Sequence, residues 1–210
     1  MKKIIAFLLI LCLCLCMAGC GDKDESSTPS KPELTPPENS TAEKLPEGDA
    51  VSALPDSIPK SFLLTTKTNI WKTELKLQSD GSFTGKYLEN VGETNAKYGY
   101  PNGKFLICEF EGKFGDLKKV DEHTYAMKLT ELKEEYPSEA QWIEGGICYE
   151  SAPPTGIEGG EWFYVYLPGK PTEGLDKAFT MWYMKSDTIP STLDVCGFYN
   201  PSARYAFFAE

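Results

Sequence analysis

The glutamates between residues 131 and 161 come closest to a catalytic pattern in this sequence. Two carboxylates at a suitable separation, one of them protonated, can hydrolyse a glycosidic bond, and Tyr136, Trp142 and Trp162 are near enough in sequence to stack on sugar rings. The glutamates concerned are Glu131, Glu134, Glu135, Glu139, Glu144, Glu158 and Glu161. An exposed acidic loop beside core aromatics has the same composition, and we favour that interpretation.

The sequence offers little support for other catalytic or metal chemistry. Its one histidine, His123, lies in the polar stretch from Asp121 to Thr124, which predicts a solvent-exposed turn and not a base held beside a nucleophile. One histidine also excludes HExxH zinc hydrolases and multi-histidine metal centres. GxSxG, SxxK, phosphate-cradling and DxDxDG motifs do not occur. We therefore expect no enzyme activity, no catalytic residue, no metal site and no cofactor.

Seven cysteines are present, and four of them lie in the first 20 residues. Cys108 is in phase with apolar neighbours, which predicts a small buried hydrophobe. An exported protein can form disulfides, and the sequence leaves open whether Cys148 and Cys196 form one.

The N-terminus has the pattern of an export signal. Two lysines precede an uncharged apolar run of 13 residues, 4–16, which is shorter than the roughly 20 residues that a membrane-spanning helix needs. The following Met-Ala-Gly-Cys, which ends at Cys20, resembles the bacterial lipobox, with Met17 where that motif usually has Leu. The resemblance implies that residues 1–19 are a signal peptide and that Cys20 carries acyl chains such as palmitate, which anchor the protein stably.

The charge of the chain bears on its location and partners. Removal of residues 1–19 takes away two of the 21 bases and none of the 31 acids, which leaves a net charge of −12. An acidic body is not attracted to anionic lipid headgroups or to nucleic acid. We expect a protein attached by lipid to the extracytoplasmic face of the cell membrane, without a nucleic-acid partner.

A change in composition divides the rest of the chain in two. Residues 21–60 hold seven prolines, nine acids and no aromatic residue, so they cannot bury enough apolar surface to offset the entropy of ordering. Every aromatic residue except Phe7 lies after residue 60. The sequence therefore predicts a lipidated, disordered, proline- and acid-rich linker over residues 20–60 and one folded domain over residues 61–210.

The folded part shows mostly the alternating apolar and polar pattern of β-strands. The predicted strands are residues 71–78, 83–88, 105–114, 125–132, 146–150, 161–167, 194–199 and 204–209. Asp80-Gly81 supplies a tight turn after the first of them. One short helix near the C-terminus is predicted over residues 173–184, with Thr172 as its cap. Its apolar stripe is formed by Leu175, Ala178, Phe179 and Trp182.

Many short strands with regular turns predict a mainly β fold, a small antiparallel, lipocalin-like barrel of about eight strands. A short repeated motif supports the barrel prediction, because residues 83–87 and 110–114 each place a glycine between aromatic residues on one face. Such a glycine lets a strand coil sharply, as a barrel corner requires. The interior of a barrel of this size holds either side chains or one small ligand.

Short motifs in the domain resemble an uncharacterised lipoprotein family of Gram-positive gut anaerobes, over most of residues 62–208. The motifs are Trp71, Asp80-Gly81-Ser82-Phe83, Gly85, Tyr87, Phe110-Glu111-Gly112-Lys113-Phe114, Thr124-Tyr125, Leu167-Pro168-Gly169 and Pro171. The architecture is similar to lipocalin and calycin barrels, although the helix that closes a lipocalin follows its last strand and this helix precedes two strands. The resemblance implies no catalytic residues.

The sequence thus predicts a non-catalytic extracytoplasmic binding module for a small apolar or glycan ligand, or for an envelope protein. A pocket inside the barrel or at its rim would be lined by some of Trp71, Tyr87, Phe110 and Trp182. The alternative is an envelope structural or protein-interaction lipoprotein whose barrel is filled by side chains. A carboxylate-type glycosidase is the least favoured prediction.

Overall fold

The structure, a computed structural model, describes residues 45–183 and 188–210. These residues belong to one compact unit, Lys44–Glu210. The predicted signal peptide, the predicted lipid attachment at Cys20 and most of the predicted linker lie outside the described residues.

The described residues form eleven strands, one short 3-10 helix and one α-helix. The 3-10 helix spans Ala96–Tyr98 and the α-helix, α1, spans Lys177–Tyr183. The strands are β1 (Asp49–Ala50), β2 (Ser61–Thr65), β3 (Trp71–Leu77), β4 (Ser82–Asn90), β5 (Lys104–Asp121), β6 (Thr124–Glu134), β7 (Gln141–Glu144), β8 (Ile147–Ser151), β9 (Trp162–Tyr166), β10 (Gly197–Asn200) and β11 (Tyr205–Ala209).

Eight of these strands close into an antiparallel barrel. Their order around the barrel is β4-β3-β2-β11-β10-β9-β6-β5, and pairing of β4 with β5 closes it. The predicted fold class is confirmed: a mainly β protein with an eight-stranded antiparallel barrel and one short helix near the C-terminus.

One strand that was predicted to belong to the barrel lies outside it. β8 lies outside the barrel, where it pairs with β7 and runs parallel to the first residues of β5, from Lys104 to Ile107. Its place in the barrel is taken by β2, which the sequence analysis did not predict. The 18 residues of β5 make this possible, because β5 is long enough to pair with β8 near its start and with β6 from Phe110 onward.

Aromatic side chains fill the barrel interior. Five phenylalanines, each at most 1% exposed, occupy its centre: Phe62, Phe114, Phe163, Phe198 and Phe207. The ring of Phe198 lies 5.4–5.9 Å from the rings of the other four. Such close packing leaves no room for a ligand among these rings.

The repeated aromatic–glycine motif of the sequence, in residues 83–87 and 110–114, forms a reciprocal pair of contacts between β4 and β5. The register places Phe83 opposite Gly112 and Gly85 opposite Phe110. A Cβ atom on Gly85 would lie 2.2 Å from the Phe110 ring, and one on Gly112 would lie 2.4 Å from the Phe83 ring. Each glycine is therefore required by the ring that covers it, which is how an aromatic residue compensates for glycine in a strand.

The N-terminal residues close one end of the barrel, called here the lower end, which carries the β3–β4 and β5–β6 turns. β1 pairs with Lys118 and Lys119 of β5. Beyond it, the side chains of Leu54 and Ile58 join the barrel core at 3% and 7% exposure. Residues 49–58, which the sequence analysis assigned to the linker, are thus part of the folded unit, because two of their apolar side chains are buried.

Residues 152–160 close the opposite, upper end, which carries the β2–β3 turn, the β10–β11 turn and the β7–β8 hairpin. Ile157 is fully buried in the core. The buried Thr73 hydroxyl donates a hydrogen bond to the carbonyl of Thr155 at 2.8 Å. The buried amide of Asn200 donates to the carbonyls of Gly156 and Glu158, both at 3.1 Å. Side-chain hydrogen bonds from the barrel wall therefore hold this segment over its end.

α1 packs on the outside of the barrel wall. The fully buried Phe179 contacts Tyr166, Tyr199 and Phe208, which makes a second, smaller core between the helix and β9–β11. The predicted cap is wrong. The carboxylate of Asp176 accepts a hydrogen bond from the Ala178 amide at 2.8 Å, whereas the Thr172 hydroxyl donates to the Pro190 carbonyl.

Candidate functional site

Three of the four predicted ligand-binding residues lie together at the upper end of the barrel. The ring of Trp71 is 6.2 Å from that of Tyr87 and 6.1 Å from that of Trp182. Phe110 lies apart from them, buried at 4% exposure beneath β4. The structure therefore separates the predicted set into an upper-end cluster and a core residue.

The upper-end cluster is bonded mainly to itself and to its own wall. The Tyr87 hydroxyl donates to the carboxylate of Glu89 at 2.5 Å, and burial together with this hydrogen bond raises the pKa of Tyr87. The Trp182 indole N–H donates to the carbonyl of Arg204 at 2.9 Å. Through this hydrogen bond and its ring contact with Trp71, Trp182 attaches α1 to the barrel.

A second aromatic group lies on the outer face of the sheet at the upper end and is more accessible. This aromatic row consists of Phe105 in β5, Tyr149 in β8, Trp142 in β7 and Tyr136, which precedes β7; all four are partly buried. Successive ring centroids are 6.3, 5.4 and 4.6 Å apart. The spacing follows the strands, because neighbouring strands lie about 4.8 Å apart.

Carboxylates surround the Tyr136 end of the aromatic row. Partial burial raises the pKa of the Tyr136 hydroxyl. The carboxylates of Glu109, Glu135 and Glu144 add to the rise, and the ammonium group of Lys86 opposes it. Residues 131–161 carry eight glutamates and one lysine, a net charge of −7 out of −10 for the whole chain. Tyr136, Trp142 and Tyr149 of the aromatic row thus lie in the most acidic part of the sequence.

The candidate catalytic glutamates differ in burial. Glu131, Glu134, Glu135, Glu139, Glu144 and Glu161 are exposed. Glu158 is partly buried, and burial raises its pKa. The Oε2 atom of its carboxylate is buried and has no hydrogen-bond partner among the described residues.

The histidine and the three cysteines of the domain are also described by the structure. The backbone N–H of His123 donates to Asp121 within the predicted turn. Cys108, Cys148 and Cys196 are buried free thiols, so Cys148 and Cys196 form no disulfide. Burial raises the pKa of Cys108 to about 12 and that of Cys196 to about 11, which makes both thiols unreactive at neutral pH.

Sequence reasoning found only half of the aromatic row. It named Tyr136 and Trp142 but grouped them with Trp162, which is 3% exposed and lies against Lys118 on the barrel wall. Tyr149 could have been predicted as a member of the row from the Gly145-Gly146 turn. A two-residue turn at that position places Trp142 directly opposite Tyr149, as the register shows.

Comparisons with known proteins add no relative to this description. No protein-family model matches the chain, and no curated protein and no solved structure matches it. Within residues 45–183 and 188–210, no helix combines the length and apolar character needed to span a membrane. The same residues contain no group of three or more histidine, cysteine or acidic side chains placed to hold a metal ion.

Proposed function

We propose that this protein is a non-catalytic interaction module of the cell envelope. A lipid on Cys20 attaches it to the extracytoplasmic face of the membrane, and it binds its partner with the outer surface at the upper end of the barrel. The observation that carries this proposal is the filled interior, closed by Leu54 and Ile58 below and by Ile157 above. A barrel filled in this way has only its surface available for recognition.

The position of the N-terminal segment favours the upper end over the rest of the surface. β1 joins the barrel at the lower end, beside Lys118 and Lys119 of β5. The described part of this segment thus contacts the barrel near its lower end and leaves the surface at the upper end uncovered. Loops and insertions on a rigid scaffold are also where binding residues concentrate, and the β7–β8 hairpin is such an insertion.

The three functional predictions made from the sequence therefore differ in how well they are supported. A ligand inside the barrel loses support, because the phenylalanines of the core occupy that volume. The protein-interaction alternative, with a filled barrel, gains support. A glycosidase stays the least favoured prediction, because every candidate glutamate except Glu158 is exposed.

Site-specific photo-crosslinking in intact cells tests the proposal. A photoreactive residue at Tyr136, at the upper end, is compared with one at Glu122, which is exposed in the β5–β6 turn at the lower end. We expect a crosslink to a defined envelope component from position 136 and none from position 122. Crosslinks from position 122 alone would contradict the proposed orientation.

The lipid attachment has its own test. Cys20→Ser should abolish incorporation of an alkyne-labelled fatty acid and release the protein from the membrane fraction, because acyl chains supply the anchor. Unchanged labelling of the variant would exclude Cys20 as the lipidated residue.

A further inference from the structure

The aromatic row has the dimensions of a binding strip for an extended chain. Its four rings cross the outer face from β5 through β8 and β7 to Tyr136. At about 4.8 Å per strand the row spans roughly 15 Å, the length of about five residues of extended polypeptide. Partly exposed tyrosine and tryptophan side chains are the residues most enriched where proteins bind one another.

Some acidic side chains near the row are paired with lysines. The pairs are Glu109–Lys86 at 2.7 Å and Glu150–Lys104 at 2.9 Å. Beside the row, two exposed glutamates that lie close to Tyr136 form no ion pair with any described residue. These are Glu135 and Glu144. The row is thus flanked by negative charge that the described part of the chain leaves uncompensated.

Aromatic rings and free carboxylates together select a cationic partner. An arginine or lysine side chain gains cation–π energy over a tyrosine or tryptophan ring and pairs with the adjacent carboxylates, whose potential also speeds its approach. Neutral sugars would use the rings but not the charge. The length of the row exceeds what a small cation occupies. We infer that the aromatic row binds an extended, arginine- or lysine-rich segment of a partner protein. The inference rests on the proposed interaction function and names its ligand class.

The first test uses synthetic peptides and the full-length chain in non-ionic detergent. The probes are a fluorescein-labelled arginine–glycine repeat, its lysine–glycine counterpart and a citrulline–glycine control, in which the guanidinium is replaced by a neutral group of similar shape. We expect fluorescence anisotropy to show binding of both basic peptides. The citrulline peptide should bind at least about tenfold more weakly, and the basic peptides should weaken as salt rises to about 0.15 M.

Matched variants locate the binding. Trp142→Ala should weaken the arginine peptide about tenfold, as expected for an aromatic residue at the centre of an interface. The double variant Glu135→Gln/Glu144→Gln keeps all four rings and should weaken it by a similar factor. Its control, Glu122→Gln/Glu173→Gln, removes the same charge elsewhere from two exposed positions and should stay within about twofold of wild type. Far-UV circular dichroism verifies that each variant is folded.

The outcomes separate the inference from the function on which it rests. Absence of basic-peptide binding, or equal binding by the two double variants, overturns the inference. If neutral oligosaccharides bind instead and Trp142→Ala removes that binding, the ligand class is wrong while the upper end remains the binding surface. If the photo-crosslinks arise from position 122 and not from position 136, the proposed function itself fails.

Discussion

Replacement of the central phenylalanine of the barrel tests whether the interior is filled. Phe198 is fully buried and contacts four other phenylalanine rings, so Phe198→Ala should leave an enclosed apolar cavity. A cavity of roughly 100 Å³ at about 24 cal/mol per Å³ costs about 2.4 kcal/mol, and the lost transfer free energy adds about 2 kcal/mol. We expect the free energy of unfolding to fall by about 4 kcal/mol, which corresponds to a Tm roughly 8–16 °C lower.

The assay combines urea denaturation with thermal melts in the presence of benzene. An engineered apolar cavity of this size stays dry and binds benzene, so benzene should raise the Tm of Phe198→Ala through binding to the folded state. Wild type should show no such rise. Phe105→Ala is the control, because this partly exposed ring lies on the outer face; it should lose only about 1 kcal/mol and gain nothing from benzene.

Two results would refute the reasoning behind this prediction. One is a destabilisation of Phe198→Ala below about 1 kcal/mol, which would mean that the ring is not tightly packed. The other is stabilisation of wild type by benzene to the same extent as the variant, which would reveal a cavity already present in the native barrel.

Three further predictions follow from individual contacts. Gly112→Ala should lower the free energy of unfolding in urea by about 2–3 kcal/mol, because the new Cβ would lie 2.2 Å from the backbone carbonyl oxygen of Glu131; a change within about 0.5 kcal/mol would contradict this contact. Cys108 and Cys196 should resist iodoacetamide in the folded protein and react after unfolding, as read by peptide mass mapping; rapid labelling of either in the native state would show that its burial is wrong. Because burial raises the pKa of Glu158 above its usual 4.5, the folded protein binds this proton more tightly than the unfolded chain. Stability therefore falls as pH rises from that value through the folded pKa. Glu158→Gln should raise the Tm near neutral pH and have little effect at about pH 4, and equal effects at both would exclude a titrating Glu158.

Much of the barrel could be predicted from the sequence, because strands such as β3 alternate between the interior and the solvent. In β3, for example, Thr73, Leu75 and Leu77 are buried and Lys72 and Lys76 are exposed, as the period of two requires. The position of β8 could not be predicted in this way. Periodicity identifies a strand but does not identify the strand with which it pairs. In the structure, β8 pairs with the first residues of β5, outside the barrel.

Less of the candidate site could be predicted. The upper-end cluster was found because Trp71 and Tyr87 share a face of neighbouring strands, but their packing against Trp182 depends on the docking of α1. The aromatic row was only half found, because Phe105 and Tyr149 come together through a parallel pairing between distant segments. Closure of the two ends also depends on such contacts, since Leu54 and Ile157 lie in segments without regular periodicity.

Native mass spectrometry on the full-length protein in non-ionic detergent tests whether the barrel interior is filled. We expect a mass explained by the polypeptide and its covalent modifications, without a small-molecule adduct, under conditions that preserve the fold, because phenylalanine rings occupy the interior. A small molecule that is retained in the folded state and lost on denaturation would contradict the filled barrel and return the binding site to its interior.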